Sequence, residues 1–285
     1  MIEILEPGPF ATVQDLGRPG RAAIGVGVSG AADRRSLRLA NRLVGNPEGA
    51  AAVETTAGGL RLRAERDLLV AVTGAASPLE VGGRAEPVNT VLRLPAGGEL
   101  RLGPPVRGLR GYVAVRGGID VPPVLGSRAT DVLSGLGPPP IAAGTRLPIG
   151  PPPAAFPLVE QAPVRREPDG ELWLRVVLGP RASWFTEEAH RALLAEPFAV
   201  SSEIDRVGMR LDGPALPRAR ADELPSEGVV LGSLQVPPSG RPTLFLADHP
   251  VTGGYPVIAV LLAADVDRAA QARPGQRVRF RAVRG

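Results

Sequence analysis

Apolar and polar positions follow one another in short runs along most of this chain. Leu68–Thr73, Tyr112–Arg116, Leu172–Leu178, Val229–Val236, Thr243–Ala247 and Arg277–Val283 are rich in Leu and β-branched residues, and turn residues stand between them. The chain contains 36 Gly and 32 Pro, so such breaks are frequent. This spacing predicts a β-rich barrel or sandwich rather than regular strand–helix alternation. Helical periodicity is confined to three places. Asp33–Val44 places Leu37, Ala40 and Val44 on one face and ends at Gly45; Thr186 caps a second helix whose first turn carries Glu187 and Glu188; a short third runs from Asp265 to Ala272. The fold class is therefore mainly β with a few helices (α+β).

At 285 residues the chain is long for a single core. The segment Gly137–Pro157 is the richest in proline and divides the chain near its middle, which predicts two domains, residues 1–155 and 156–285, joined by a semi-rigid connection. No repeat period is visible. No apolar run approaches the roughly 18 residues of a membrane span and no secretory leader is recognisable, so the expectation is a cytoplasmic protein that binds no membrane.

Composition narrows the chemistry. There is no Cys, which removes disulfides, thiolate catalysis and Cys-based metal sites. All 33 basic residues are Arg and none is Lys. The chain thus holds no phosphate-loop lysine, no Schiff-base lysine and no biotinyl-lysine, and any anion must be met by Arg forks or backbone N–H groups. The isoelectric point is very basic, but the formal charge is only +4 and aromatic residues make up 4% of the chain. With no Lys or Cys to titrate, a small Arg excess carries the isoelectric point upward, so nucleic-acid binding is not expected.

Gly25-x-Gly27-x-x-Gly30 runs into the first helix, with Glu54 following 24 residues after Gly30, in the manner of a dinucleotide fingerprint. That fingerprint requires a buried strand before its first glycine. Here the place is taken by Arg18-Pro19-Gly20-Arg21-Ala22-Ala23-Ile24, so the glycines are read as turn residues.

Polar residues are dense at the turns instead. Gln14, Asp15, Arg18, Ser29, Asp33, Asn41 and Asn46 crowd one region. The second half has Ser202–Leu211 and Ser226–Pro256, polar at strand ends. In order along the chain, "TVQDLGRPG", "GVSGAAD", "ANRLVGN", "GSRATD", "SEIDRVGMRL", "SEGVVLGSLQVPPSGRP", "VTGGYP" and "QARPGQRVRF" resemble the biotin-dependent carboxyltransferase family. Its members include the C subunit of 5-oxoprolinase, the Kip antagonist protein, the allophanate hydrolase subunit 2 type and part of urea amidolyase. The resemblance covers residues 1–283 and departs from relatives at His249–Val251. It implies two cyclophilin-like β-barrel domains. It also implies a complex with a B-subunit homologue and an A-subunit homologue that opens 5-oxoproline to glutamate with ATP and Mg2+. Two other activities in the family stay open. One is the carboxyltransferase component of a biotin-dependent urea or amide carboxylase, with biotinyl-lysine supplied by another chain. The other is a regulatory, non-enzymatic partner of a B-subunit homologue.

Opening a small cyclic amide with ATP requires groups that hold anions and read an amide. The expected catalytic set is Asp205, Arg206, Arg210, Gln235, Asp248 and Tyr255. The expected substrate-binding set is Gln14, Asp15, Arg18, Asp33, Asn41, Arg128, Gly253 and Gly254. Each has a structural alternative: Arg forks that hold neighbouring carboxylates or carbonyls, amides that brace turns, and Asp33 as a helix-start carboxylate. His249 lies in the polar loop, where an imidazole can take or give a proton, and His190 reads as a partly exposed helix residue. Two lone His argue against a dedicated zinc site, so no metal ligands are assigned, while a Mg2+ that accompanies ATP stays open through carboxylates.

Overall fold

A computed structural model describes residues 1–156, 159–164 and 170–283. It is mainly β, with three α-helices among these residues. Its contacts divide the chain into two units. The first comprises Met1–Arg18, Ser29–Asp131 and Gly135–Arg165; the second comprises Pro19–Val28, Val132–Ser134 and Arg166–Gly285.

The first unit has two sheets. One runs in the order β11 (Arg146–Leu147), β1 (Ile2–Pro7), β4 (Leu60–Ala64), β9 (Glu99–Leu102), β6 (Leu79–Val81) and β7 (Arg84–Glu86). The other runs β2 (Phe10–Gln14), β3 (Ala52–Thr56), β10 (Arg107–Val115), β5 (Leu68–Ala76) and β8 (Val91–Leu94). Because side chains alternate between the two faces of a strand, Leu60 and Leu62 turn into a shared core with Val13, Val53, Val70, Val72, Leu100 and Val113. Arg61 and Arg63 then face outward, where they pair with Glu6 and Glu99 at 2.8 Å. Helix α1 (Arg34–Leu43) covers the opposite face of the second sheet, burying Leu37, Ala40 and Leu43 against Ala52, Ala71, Tyr112 and Ala114. Asp33 caps it by accepting from Ser36 N at 2.9 Å, as expected of a helix-start carboxylate. The proline-rich segment is stitched into this unit through β11, and through Ile141 N donating to Ala11 O. Its last residue, Pro157, lies outside the described residues.

The second unit is a closed barrel in the order β12 (Leu172–Leu178), β19 (Val257–Leu261), β16 (Ser233–Gln235), β17 (Thr243–Phe245), β14 (Gly208–Asp212), β13 (Phe198–Ile204) and β20 (Arg277–Ala282). Its first and last strands close it in parallel, from Leu172 opposite Val278 to Val176 opposite Ala282. Leu174, Phe198, Met209, Leu211, Leu234, Leu244, Ile258 and Phe280 fill the interior. Helix α2 (Glu187–Ala195), capped by Thr186 as its sequence predicts, buries Ala189 and Leu193. Helix α3 spans Ala263–Ala269. It starts two residues before the predicted Asp265 because that carboxylate is engaged by Arg175 rather than by the helix end. No helix among the described residues is long and apolar enough to cross a membrane.

The register of the barrel determines where its loops go. β17 and β19 both run antiparallel to β16. The connection 246–256 must therefore travel from one end of β16 to the other, along the outside of the barrel. A short pair, β15 (Glu227–Gly228) with β18 (Thr252–Gly253), holds this strap in place.

Candidate functional site

Alternation decides which residues lie under the strap. Leu234 and Val236 point into the barrel core, so Gln235 between them points outward, beneath residues 246–256. It is nonetheless buried, at 7% exposure, because the strap covers it. Its Nε2 donates to Tyr255 O at 3.0 Å. A carbonyl can only accept, so the amide must present its NH2 there and turn Oε1 the other way. Among the described residues no group donates to that oxygen.

Gly253 makes this arrangement possible. A Cβ built on it would stand 2.4 Å from Gln235 Nε2, so only glycine lets the strap lie directly on the amide. Gly254 follows, and Tyr255 stands at the strap's end with 45% of its surface exposed. Val229, Phe245 and Val257 form a small apolar cluster under the same strap.

The other members of the expected catalytic set lie elsewhere. Arg206, 2% exposed, forms a bidentate pair with Asp248, Nε to Oδ2 and Nη2 to Oδ1, both 2.9 Å. Asp248 Oδ2 also accepts from Val132 N at 3.1 Å. Gly208 pairs with Phe245, whereas Gln235 pairs with Thr243, so Arg206–Asp248 and Gln235–Tyr255 lie at opposite ends of the strap. The fork anchors the start of the strap, and Gln235 anchors its finish. Asp205 closes the turn between β13 and β14 by accepting from Val207 N and Gly208 N. Arg210 lies on the barrel's solvent face and pairs with Glu203. His249 Nδ1 lies 2.8 Å from Pro250 O within the strap, and His190 contacts Ala182 O.

In the first unit, four of the expected binding residues come together at the end of β2. Asp15 accepts from Gly17 N at 2.7 Å, Ser127 Oγ at 2.6 Å and Arg128 N at 2.7 Å. Arg18, 1% exposed, donates to Ala129 O and lies 3.7 Å from Asp131. Gln14 donates to Thr12 Oγ1 and Thr130 O, which leaves its buried Oε1 without a partner among the described residues. Arg128 itself reaches Val121 O and Asp120. Together these groups pin residues 121–131 to the sheet. Asn41 and Asp33 are not part of this knot. Asn41 braces the turn after α1 through Glu48 O and Ala50 O, and Asp33 caps α1.

The glycine fingerprint is divided between the units. Gly25 and Gly27 group with the barrel, while Gly30 belongs to the first unit. A Cβ on Gly30 would stand 2.6 Å from Gly17 N. Glu54 Oε2 serves the fold, accepting from Ala32 N at 3.0 Å and from the buried Tyr112 hydroxyl at 2.8 Å. Burial is the main cause that pushes the Tyr112 pKa well above its ordinary value, with Glu54 and Asp33 adding to it.

One residue near the strap carries no signal in the sequence: Arg218, whose guanidinium lies over the Tyr255 ring with 5.6 Å to the centroid. Nothing in its neighbourhood "LPRARAD" distinguishes it from other surface arginines.

A chain of two β-units, one of them a closed barrel with a strapped polar flank, defines the class. The profile of the carboxyltransferase domain, subdomain A and B, matches residues 24–282. The chain is 38% identical over 286 aligned residues to the C subunit of 5-oxoprolinase from Escherichia coli K12, covering 98% of this chain and 90% of that one. Among solved structures, TTHA0988 superposes with a TM-score of 0.88 at 39% identity, covering 98% of this chain and 55% of that chain. The K. lactis urea amidolyase superposes with a TM-score of 0.94 at 29% identity, covering 99% of this chain and 19% of that chain. This chain therefore spans about half of the first structure and a fifth of the second. It belongs to the carboxyltransferase domain, subdomain A and B, family.

Proposed function

We propose that this chain is the C subunit of an ATP-dependent 5-oxoprolinase, active as a complex with homologues of the B and A subunits. The observation that carries this reading is the 38% identity with the E. coli C subunit over nearly the whole of both chains. The strapped flank of the barrel supports it. Gln235 Oε1, turned away from Tyr255 O, suits the N–H of a ring amide, and the exposed Tyr255 ring offers a flat wall beside it. In this reading ATP with Mg2+ is consumed at the level of the complex, where phosphorylation makes the amide oxygen a leaving group. This chain's residues orient the ring. Biotin chemistry would need a biotinyl-lysine on another chain, because none of the 33 basic residues here is Lys. The likeness to urea amidolyase favours a second reading, carboxyl transfer to urea or a related amide.

The two readings separate in one assay. The chain is co-expressed with its A- and B-subunit homologues, and ATP-dependent glutamate release from 5-oxoproline is measured with and without it. Release that requires this chain is the expected result. No release from the assembled complex, or bicarbonate- and biotin-dependent turnover of urea instead, would overturn the proposal.

A further inference from the structure

Arg218 is fixed to the barrel from two directions. Its backbone bridges to Phe185, and its Nη2 donates to the carbonyl of Val236, the residue after Gln235. Its guanidinium sits within cation–π range of Tyr255. Gln235 and Arg218 are thus both tied to Tyr255, one through the tyrosine's carbonyl and the other through its ring.

The charge on Arg218 sets it apart from its neighbours. Arg181 is paired with Glu227 at 2.8 Å, and Arg220 with Asp222 at 2.6 Å. Among the described residues Arg218 has no carboxylate partner, and its buried Nε has no acceptor. Burial pulls its pKa below the usual arginine value, with the Tyr255 phenol acting in the other direction. A buried donor without an acceptor is costly, and native structures explain such groups by a bound water, ion or ligand. A guanidinium that is already oriented and stacked, and short of an acceptor, fits a carboxylate better than a flexible ammonium would.

We propose that Arg218 is the carboxylate subsite of the strapped flank, pairing with the acid group of a small ring-amide acid while Gln235 Oε1 accepts the ring N–H. This rests on reading the chain as part of a 5-oxoprolinase. 5-Oxoproline carries the two groups on adjacent ring atoms, so readers tied to one residue suit it. Tyr255 forms the wall between them, and Gly253 sets the height of the strap above the amide.

Titration calorimetry on the full chain and on the assembled complex compares 5-oxoproline with 2-pyrrolidinone, the same ring without the carboxylate, and with inorganic phosphate. The wild-type protein is expected to prefer 5-oxoproline to 2-pyrrolidinone by about tenfold or more. Arg218→Gln should abolish that preference and Arg218→Lys should keep part of it. In the active complex, KM for 5-oxoproline should rise by a similar factor with kcat changing less. A wild-type protein that binds both rings equally, variants that keep the preference, or Arg218-dependent binding of phosphate but not of 5-oxoproline would each overturn the assignment. The wild-type comparison stands even where a variant fails to fold. A complex that releases no glutamate but still shows the Arg218-dependent preference would remove the proposed reaction and leave the subsite standing.

Discussion

At the scale of single residues, the strap lies on Gln235 because residue 253 has no side chain. In Gly253→Ala the new methyl would meet Gln235 Nε2 at 2.4 Å and, less closely, Val229 Cγ1 at 3.4 Å. The amide is the flexible partner, so it is the group that moves, breaking its bond to Tyr255 O. The expected loss is about 1 kcal/mol of stability, the net worth of one hydrogen bond. On the proposed role of Gln235, the complex should lose proportionately more turnover of 5-oxoproline, because the amide that is to meet the ring has moved. Chemical denaturation beside steady-state kinetics checks this. Wild-type activity in a folded Gly253→Ala complex would mean that the Gln235 amide reads nothing. The contrast with Arg206 is instructive. Its fork is spent on Asp248, and removing either partner would strand a buried charge at a cost of about 3–5 kcal/mol.

At the scale of elements, α3 is joined to β12 through charge. Asp265 in its first turn accepts from Arg175 N at 2.7 Å and from Arg175 Nε and Nη2 at 2.9 Å. Burial raises the Asp265 pKa, but the bonds from Arg175 and the charge of Arg268 outweigh it, and the net shift is downward. A carboxyl whose folded pKa lies below its unfolded value stabilises the fold above the unfolded value, near 3.8, and loses that contribution as pH falls toward the folded one. Asp265→Asn should therefore cost about 2 kcal/mol at neutral pH. Melting curves of the two proteins should converge as pH drops below about 4. A constant gap down to pH 2 would contradict this.

Elements also show what the sequence could reveal. Leu172–Leu178 and Arg277–Val283 were readable as strands because alternation survives where one face of a strand meets the core. Val229–Leu231 read equally well as strand, yet Val229 packs under the strap and β16 begins only at Ser233. An apolar run looks the same whether it lines a barrel or backs a loop. The start of α3 is hidden for a related reason: Asp265 resembles a cap but serves another strand, and the true cap, Leu262, makes no side-chain bond. Within the site, Gln235, Gly253 and Tyr255 share one polar stretch and could be picked out together. Arg218 reaches them only through the fold, by way of Phe185 and Val236.

At the scale of the molecule, the chain does not deal its residues out in two consecutive blocks. Residues 19–28 and 132–134 cluster with the barrel although both precede its first strand by many residues. Val132 N is one of the donors that hold Asp248, so an excursion from the first half supports the root of the strap. No local pattern announces such a loan, since the benefit falls on a residue more than a hundred positions away. The barrel's seam has a consequence of a different kind, in its response to force. β12 and β20 run parallel, so the start of one and the end of the other lie at opposite ends of the pair. Tension applied at residues 170 and 283 would slide the two strands past each other and load the ladder from Leu172–Val278 to Val176–Ala282 all at once. Tension at 170 and 276 would instead part the same ladder one pair at a time. The chain has no Cys, so handles can be placed at either pair of positions without competing thiols. Single-molecule pulling is expected to find a markedly higher rupture force in the first geometry, and equal forces would mean that the seam is not what holds the barrel shut. With the force higher in the first geometry, the barrel is a mechanical clasp, strong along its strands and weak across them.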